Sequence, residues 1–224
     1  MKRRHCLVLL MIAIMAAATL PVHGEQPLTA GMSLAWLMEG NSRYLQGLNN
    51  PDLSPERRES LAVAQHPFAV IVGCSDSRIP PEHIFDQGLG DLFVIRLAGN
   101  VVDTLALGSV EYAIAELGVP LVVVLGHEGC GAVKASVRSL LDEAEAGGHI
   151  ADLLDLIKPS AESVLQSFAG TRAELYERVA DANITAVIGQ LLQSEIIQQG
   201  AEEGVLSIVG AKYSLGGEVT FFGE

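Results

Sequence analysis

Apolar positions along this chain change period several times, and each change marks an element. Across residues 32–46 and again across residues 55–64 they recur at helical spacing, and Pro55 stands where a helix can begin. These stretches read as two N-terminal helices. A short β-branched run at residues 68–72 predicts a buried strand. The polar segment Cys74-Ser75-Asp76-Ser77-Arg78 follows it, and Pro80-Pro81 then stops any ladder. Residues 91–96 predict a second strand, residues 105–117 a helix, and residues 120–125 a third strand of almost pure Val and Leu. These strands lack apolar/polar alternation, as expected of a sheet covered on both faces.

Further on, residues 131–146 and 150–168 read as amphipathic helices joined at Gly147-Gly148, and residues 172–199 as one long helical stretch. Residues 204–213 and 218–222 supply two more strands. Strand and helix in repeated order predict an α/β fold: a mostly parallel central β-sheet flanked by helices, with an added C-terminal edge strand. No internal repeat or low-complexity linker divides residues 25–224, so a single domain is expected there.

Composition agrees with a globular domain, since 224 residues at 49% apolar and 18% charged can fill a core. The formal charge is −13, and the 11 bases that follow residue 24 face 27 acids, which argues against a nucleic-acid surface. Residues 1–24 have a different character. A basic start with Lys2, Arg3 and Arg4 precedes an uncharged apolar run at residues 7–18, and Pro21-Val22-His23-Gly24 follows. This is the three-part pattern of a signal peptide, with cleavage expected near Gly24. The run is shorter than the roughly 20 residues a spanning helix needs. An exported protein, periplasmic or secreted, without a stable membrane anchor after cleavage is therefore expected. Arg3-Arg4 leaves the twin-arginine route open.

Three cysteines are too few for a disulfide framework, and Cys6 lies in the leader, so Cys74 and Cys130 must be explained as a pair. In an exported protein a disulfide is a competing reading of two cysteines. Their neighbours favour another. Cys74 and His127 each lie just past the carboxyl end of a predicted buried strand, where open parallel sheets build sites, and Cys130 follows at the start of a helix. A helix N-terminus favours thiolate over thiol. Two thiolates and one imidazole make three ligands, which leaves a tetrahedral ion one position for water or another donor. Asp76 and Arg78 follow Cys74 at intervals of two, which in an extended segment puts the three side chains on one face. Asp76 then either accepts a hydrogen bond from a zinc-bound hydroxide, held ionised by Arg78, or closes the site as a fourth ligand. Gly126, Gly129 and Gly131 also suggest a nucleotide-binding turn, but their order is not the dinucleotide fingerprint.

Cys74-Ser75-Asp76-Ser77-Arg78 together with His127-Glu128-Gly129-Cys130-Gly131 closely resembles the β-class carbonic anhydrases. The resemblance runs from about Leu34 to Tyr213 and includes Asp91-Leu92-Phe93-Val94-Ile95-Arg96, Ala98-Gly99-Asn100 and Glu111-Tyr112-Ala113. It implies one Zn2+ per subunit on Cys74, His127 and Cys130, with Asp76 and Arg78 as the catalytic dyad in its open form. The implied reaction is hydration of CO2 to bicarbonate by zinc-bound hydroxide. Gln65 matches the glutamine that, in the plant-like subset, hydrogen-bonds bicarbonate across a dimer boundary. A homodimer or higher even oligomer is implied, with the helices of residues 32–64 packing on the partner. Ile71 stands where the bicarbonate-regulated subset has Trp, so that subset's non-catalytic site is incomplete here, and Leu97 departs from the usual Asn or Val. Relatives with the same site that act on COS or CS2 keep a second substrate class open. Arg96 reads as a structural salt-bridge residue, and Trp36 as one that packs between helices or on a second subunit.

Overall fold

Every residue of Ala69–Gly73 (β1) and of Leu121–His127 (β3) is buried, which explains why neither run alternates. With Leu92–Arg96 (β2), Ser207–Tyr213 (β4) and Val219–Phe222 (β5), they form one sheet in the order β2-β1-β3-β4-β5. The first four strands are parallel and β5 is antiparallel to β4, as a mostly parallel sheet with a C-terminal edge strand requires. These features come from a computed structural model that describes residues 28–141 and 146–223. The signal-peptide reading at residues 1–24, and the part of the predicted 131–146 helix at residues 142–145, lie outside the described residues.

Eight helices are described: α1 (Ala30–Leu45), α2 (Pro55–Ser60), α3 (Pro81–Ile84), α4 (Thr104–Ala115), α5 (Gly131–Leu141), α6 (Ile150–Leu165), α7 (Arg172–Leu191) and α8 (Glu195–Glu202). Successive strand residues point to opposite faces. On one face Val70, Val72, Val122 and Val124 pack against Val110, Ile184 and Leu191 of α4 and α7. On the other, Ile71, Leu121, Val123 and Val209 pack against Leu37 of α1 and Ile84 of α3. A third cluster lies past the carboxyl ends of β1 and β3, where α5, α6 and α7 bring Val133, Ile157 and Val179 around Cys74 and Cys130. Buried Asn41 of α1 donates to the carbonyls of Ile84 (3.2 Å) and Gly217 (2.9 Å) and accepts from the Val219 N–H (3.0 Å). The first helix and the last hairpin are thereby tied together.

Two elements differ from the sequence reading. The single helix expected over residues 172–199 is broken into α7 and α8, because Ser194 leaves the helical path and accepts from the Ile197 N–H as an N-cap. Its hydroxyl also donates to Glu111 Oε1 at 2.6 Å, which fixes the break against α4. The double proline at residues 80–81 ends the ladder as expected, and Pro81 then starts a short helix, α3, that the sequence reading did not include. Among the described residues no helix is long and apolar enough to cross a membrane.

Candidate metal centre

β1 ends at Gly73 and β3 at His127, and the two strands are paired side by side, so Cys74 and His127 leave the same edge of the sheet together. The chain turns through Glu128 and Gly129, the latter at φ +66°, and delivers Cys130 just before α5. A positive φ suits glycine, and the turn depends on it. The ligand atoms of Cys74, His127 and Cys130 all lie within 4.8 Å of one another, and all three residues are buried. Both thiols are free. The disulfide reading is not what the structure holds.

These residues fit a zinc ion. His127 places Nδ1 2.9 Å from the Glu128 carbonyl, while Nε2 is buried with no hydrogen-bond partner. An imidazole held by one nitrogen with the other bare is the usual arrangement of a histidine ligand. Tetrahedral bonds of about 2.3 Å to sulfur and 2.0 Å to nitrogen set ligand atoms roughly 3.5–3.8 Å apart, inside the observed limit. Two sulfurs and an imidazole suit zinc among the common divalent ions.

One of the two sulfurs, that of Cys74, is electrostatically prepared. The Cys130 thiol shares its proton with Cys74, and that hydrogen bond, with further help from His127 and the backbone N–H groups of Gly99 and Asp76, holds Cys74 down to about 4 against its burial. The same sharing, together with burial, pushes Cys130 upward. Gly99 N–H donates to Cys74 Sγ at 3.2 Å and Asp76 N–H at 3.4 Å. Gly99 can approach because it has no Cβ. Its φ is +75°, and a Cβ there would come within 2.6 Å of Ile157 Cδ1. Asn183 of α7 steadies the same turn by donating to the Gly99 carbonyl at 2.8 Å.

Asp76 and Arg78 meet through a tight turn rather than the extended segment expected from their spacing. The Ile79 N–H returns to the Asp76 carbonyl at 3.1 Å, and the Arg78 N–H donates to Asp76 Oδ1 at 3.0 Å. The Arg78 guanidinium then grips both carboxylate oxygens, Nε to Oδ1 at 2.9 Å and NH2 to Oδ2 at 2.7 Å. This hydrogen bonding holds the Asp76 carboxyl well below the usual carboxylate range. Asp76 is thus a paired carboxylate beside the cysteine–histidine group, not one of the three clustered ligands. Gln65 is exposed in the stretch between α2 and β1, and no described hydrogen bond joins it to these residues.

Two further residues shape the site. Arg96 is not a salt-bridge residue here. Its Nε donates to the Cys74 carbonyl at 2.8 Å and its NH2 to the Asp76 carbonyl at 2.6 Å. Glu177 of α7, unremarkable in sequence, accepts from the Gly129 N–H at 3.0 Å inside the second ligand loop and lies 3.0 Å from Lys212 Nζ, a cation it shares with Asp181 at 2.7 Å.

Comparison with known proteins gives a consistent result. A carbonic anhydrase family profile matches residues 69–219. The chain is 46% identical over 187 residues to a carbonic anhydrase of Mycolicibacterium smegmatis, covering 81% of this chain and 88% of that one. It is 43% identical over 185 residues to carbonic anhydrase 2 of Mycobacterium tuberculosis, covering 81% and 87%. Among solved structures it resembles one of two tetrameric β-carbonic anhydrases of Sordaria macrospora, with a TM-score of 0.70 at 29% identity over 76% of this chain and 88% of that one.

Proposed function

Because the chain belongs to the β-carbonic anhydrase family of enzymes, we propose that it catalyses the reversible hydration of carbon dioxide to bicarbonate and a proton, with zinc held by Cys74, His127 and Cys130. The observation that carries this reading is the convergence of those three buried ligands, with His127 Nε2 unpartnered, beside an Asp76 carboxylate fixed by Arg78. A zinc ion bound there supplies the Lewis acidity that makes a water molecule nucleophilic near neutral pH.

The chain's own residues do the rest. Asp76 Oδ1 accepts twice from Arg78 while Oδ2 accepts once and keeps a lone pair, so the carboxylate can accept a hydrogen bond from the attacking oxygen through Oδ2 and orient it. Arg78 keeps Asp76 ionised and stops it from swinging onto the metal. The Glu128 carbonyl holds His127 Nδ1–H, which leaves Nε2 as the ligand atom. Gln65, contributed from a neighbouring subunit, donates to a substrate oxygen. The proton released by hydration passes to buffer.

The assembly is a homodimer or a higher even oligomer, supported by the exposed Met32, Trp36, Met38 and Leu45 of α1 and by the tetrameric Sordaria macrospora relatives. Residues 25–224 act as one domain, and residues 1–24 direct export to the periplasm or beyond. The decisive experiment is stopped-flow CO2 hydration on the purified protein before zinc removal, after removal and after reconstitution, with COS and CS2 turnover measured in parallel. Activity on CO2 that is lost with zinc and regained with it is expected. A zinc-loaded protein inert toward CO2 overturns the proposal.

A further inference from the structure

Eleven lysines and arginines follow residue 24 in a chain of net charge −13, so each is surrounded by candidate partners. Seven of them, from Arg43 to Lys212, donate to a carboxylate or a backbone carbonyl. Three side chains, those of Lys134, Arg138 and Arg178, make no hydrogen bond or ion pair among the described residues. All three line one cleft of about 910 Å³ between α5 and α7, and Arg172 lines it as well. In an acidic protein, unpaired cations are expected to scatter or to find acids. Here they gather.

The two acids on the cleft wall offset only part of this charge, since four bases line it against two carboxylates. Glu174 is committed to its helix cap, with Oε2 accepting from the Thr171 N–H at 2.7 Å and the Thr171 hydroxyl at 2.8 Å. Glu177 is committed to the Gly129 N–H and to Lys212. Lys134 and Arg138 are four residues apart and so share one face of α5, while Arg178 faces them from α7. Cations therefore approach a ligand from both walls.

We propose that this cleft binds a small organic molecule bearing two or more phosphate charges. The volume suits a metabolite-sized ligand. A tetrahedral phosphate offers oxygens in several directions, which matches donors from two helices, whereas a planar carboxylate offers a single edge. Half-buried Tyr176 gives the organic portion a ring to lie against. The acidic remainder of the surface sets the upper limit on ligand size. Screening over about 8 Å at physiological ionic strength hides distant acids from a compact anion inside the cleft. A long polyanion would leave the cleft and meet them. The site is separate from the zinc ligands, although Gly131, next to Cys130, lies on its edge.

The test is isothermal titration of the zinc-loaded protein with fructose 1,6-bisphosphate, with fructose 6-phosphate in parallel, at physiological ionic strength. Saturable binding of the bisphosphate, at least tenfold tighter than the monophosphate, is expected. The double variant Lys134→Gln/Arg178→Gln should weaken it at least tenfold while CO2 hydration stays at its starting level. Arg138→Gln, a change at an exposed position, should weaken it in the same direction should the double variant prove unstable. Absent saturable binding, or binding equal in wild type and variants, overturns the proposal. So does protein that ignores the bisphosphate but sediments with phosphatidylglycerol vesicles, since the partner would then be a membrane.

Discussion

Arg96, the last residue of β2, donates from Nε to the carbonyl of Cys74 at 2.8 Å, so the strand beside β1 holds the backbone that carries the first sulfur ligand. The same guanidinium reaches the Asp76 carbonyl, and one side chain thereby spans both ends of the Cys74–Asp76 turn. Arg96→Met keeps the side-chain length but removes both bonds. Hydrogen bonds to a charged group are worth about 1.5–3 kcal/mol each, so the variant should melt at lower temperature and be isolated with less zinc. Differential scanning calorimetry and metal analysis check both outcomes.

Arg78→Ala should leave zinc content intact while CO2 hydration falls roughly a hundredfold or more, the range expected when a positioned acid–base group is lost. The pair also has a pH signature. Hydrogen bonding to Arg78 places the folded-state pKa of Asp76 below its unfolded value. Its contribution to stability is therefore present above about pH 4, the ordinary aspartate value, and is lost as the pH falls through the folded-state pKa. The melting-temperature difference between wild type and Arg78→Ala should shrink below about pH 4. A difference that widens there contradicts the pairing.

Cys74→Ser and Cys130→Ser should each lose stoichiometric zinc, since a neutral hydroxyl is a far poorer ligand than a thiolate. Mass spectrometry under native conditions reads the metal directly, and a thiol titration of the metal-free wild type should find both cysteines of residues 25–224 reduced.

Glu177 touches no ligand atom, yet its carboxylate holds the Gly129 N–H between His127 and Cys130. Glu177→Ala should speed zinc loss to a chelator about tenfold, the lower end of what second-layer substitutions cost in metal affinity. Glu177→Gln retains an acceptor oxygen and should recover most of the difference. Equal release rates in all three proteins would remove Glu177 from the account.

Trp36 is 40% exposed on α1 although its ring meets Phe68 edge-on at 5.2 Å, so much of a large apolar residue has no cover among the described residues. Trp36→Asp should shift the mass measured by light scattering toward the monomer. Because Gln65 is proposed to act from the neighbouring subunit, hydration should decline with it.

The elements most legible in sequence were those whose physics is local. Ala69–Gly73 and Leu121–His127 are continuous apolar runs because helices cover both faces of the sheet, and such runs have no competing reading at that length. The positions of Cys74 and His127 at the strand exits followed from the same runs. Less legible was anything decided by a distant side chain. The break at Ser194 depends on Glu111, 83 residues earlier, and the local pattern on either side is helical. Arg96 ends an apolar strand and carries no motif of its own. Its role exists only because β2 pairs with β1. Glu177 resembles any acid on a helix until α7 is laid across the Gly129 turn. The spacing of Asp76 and Arg78 suggested that they would meet, but an extended backbone was the wrong route. The turn closed by Ile79 brings them together more tightly.

Asn41 binds Gly217 and Val219 from within the first helix, so the polypeptide closes on itself like a clasp whose two halves are made at opposite times. A nascent chain emerging from the ribosome holds α1 long before it holds the hairpin that secures it. The position of α1 is therefore secured only after that hairpin has been made. A chain lacking residues 215–224 would leave α1 without that fastening.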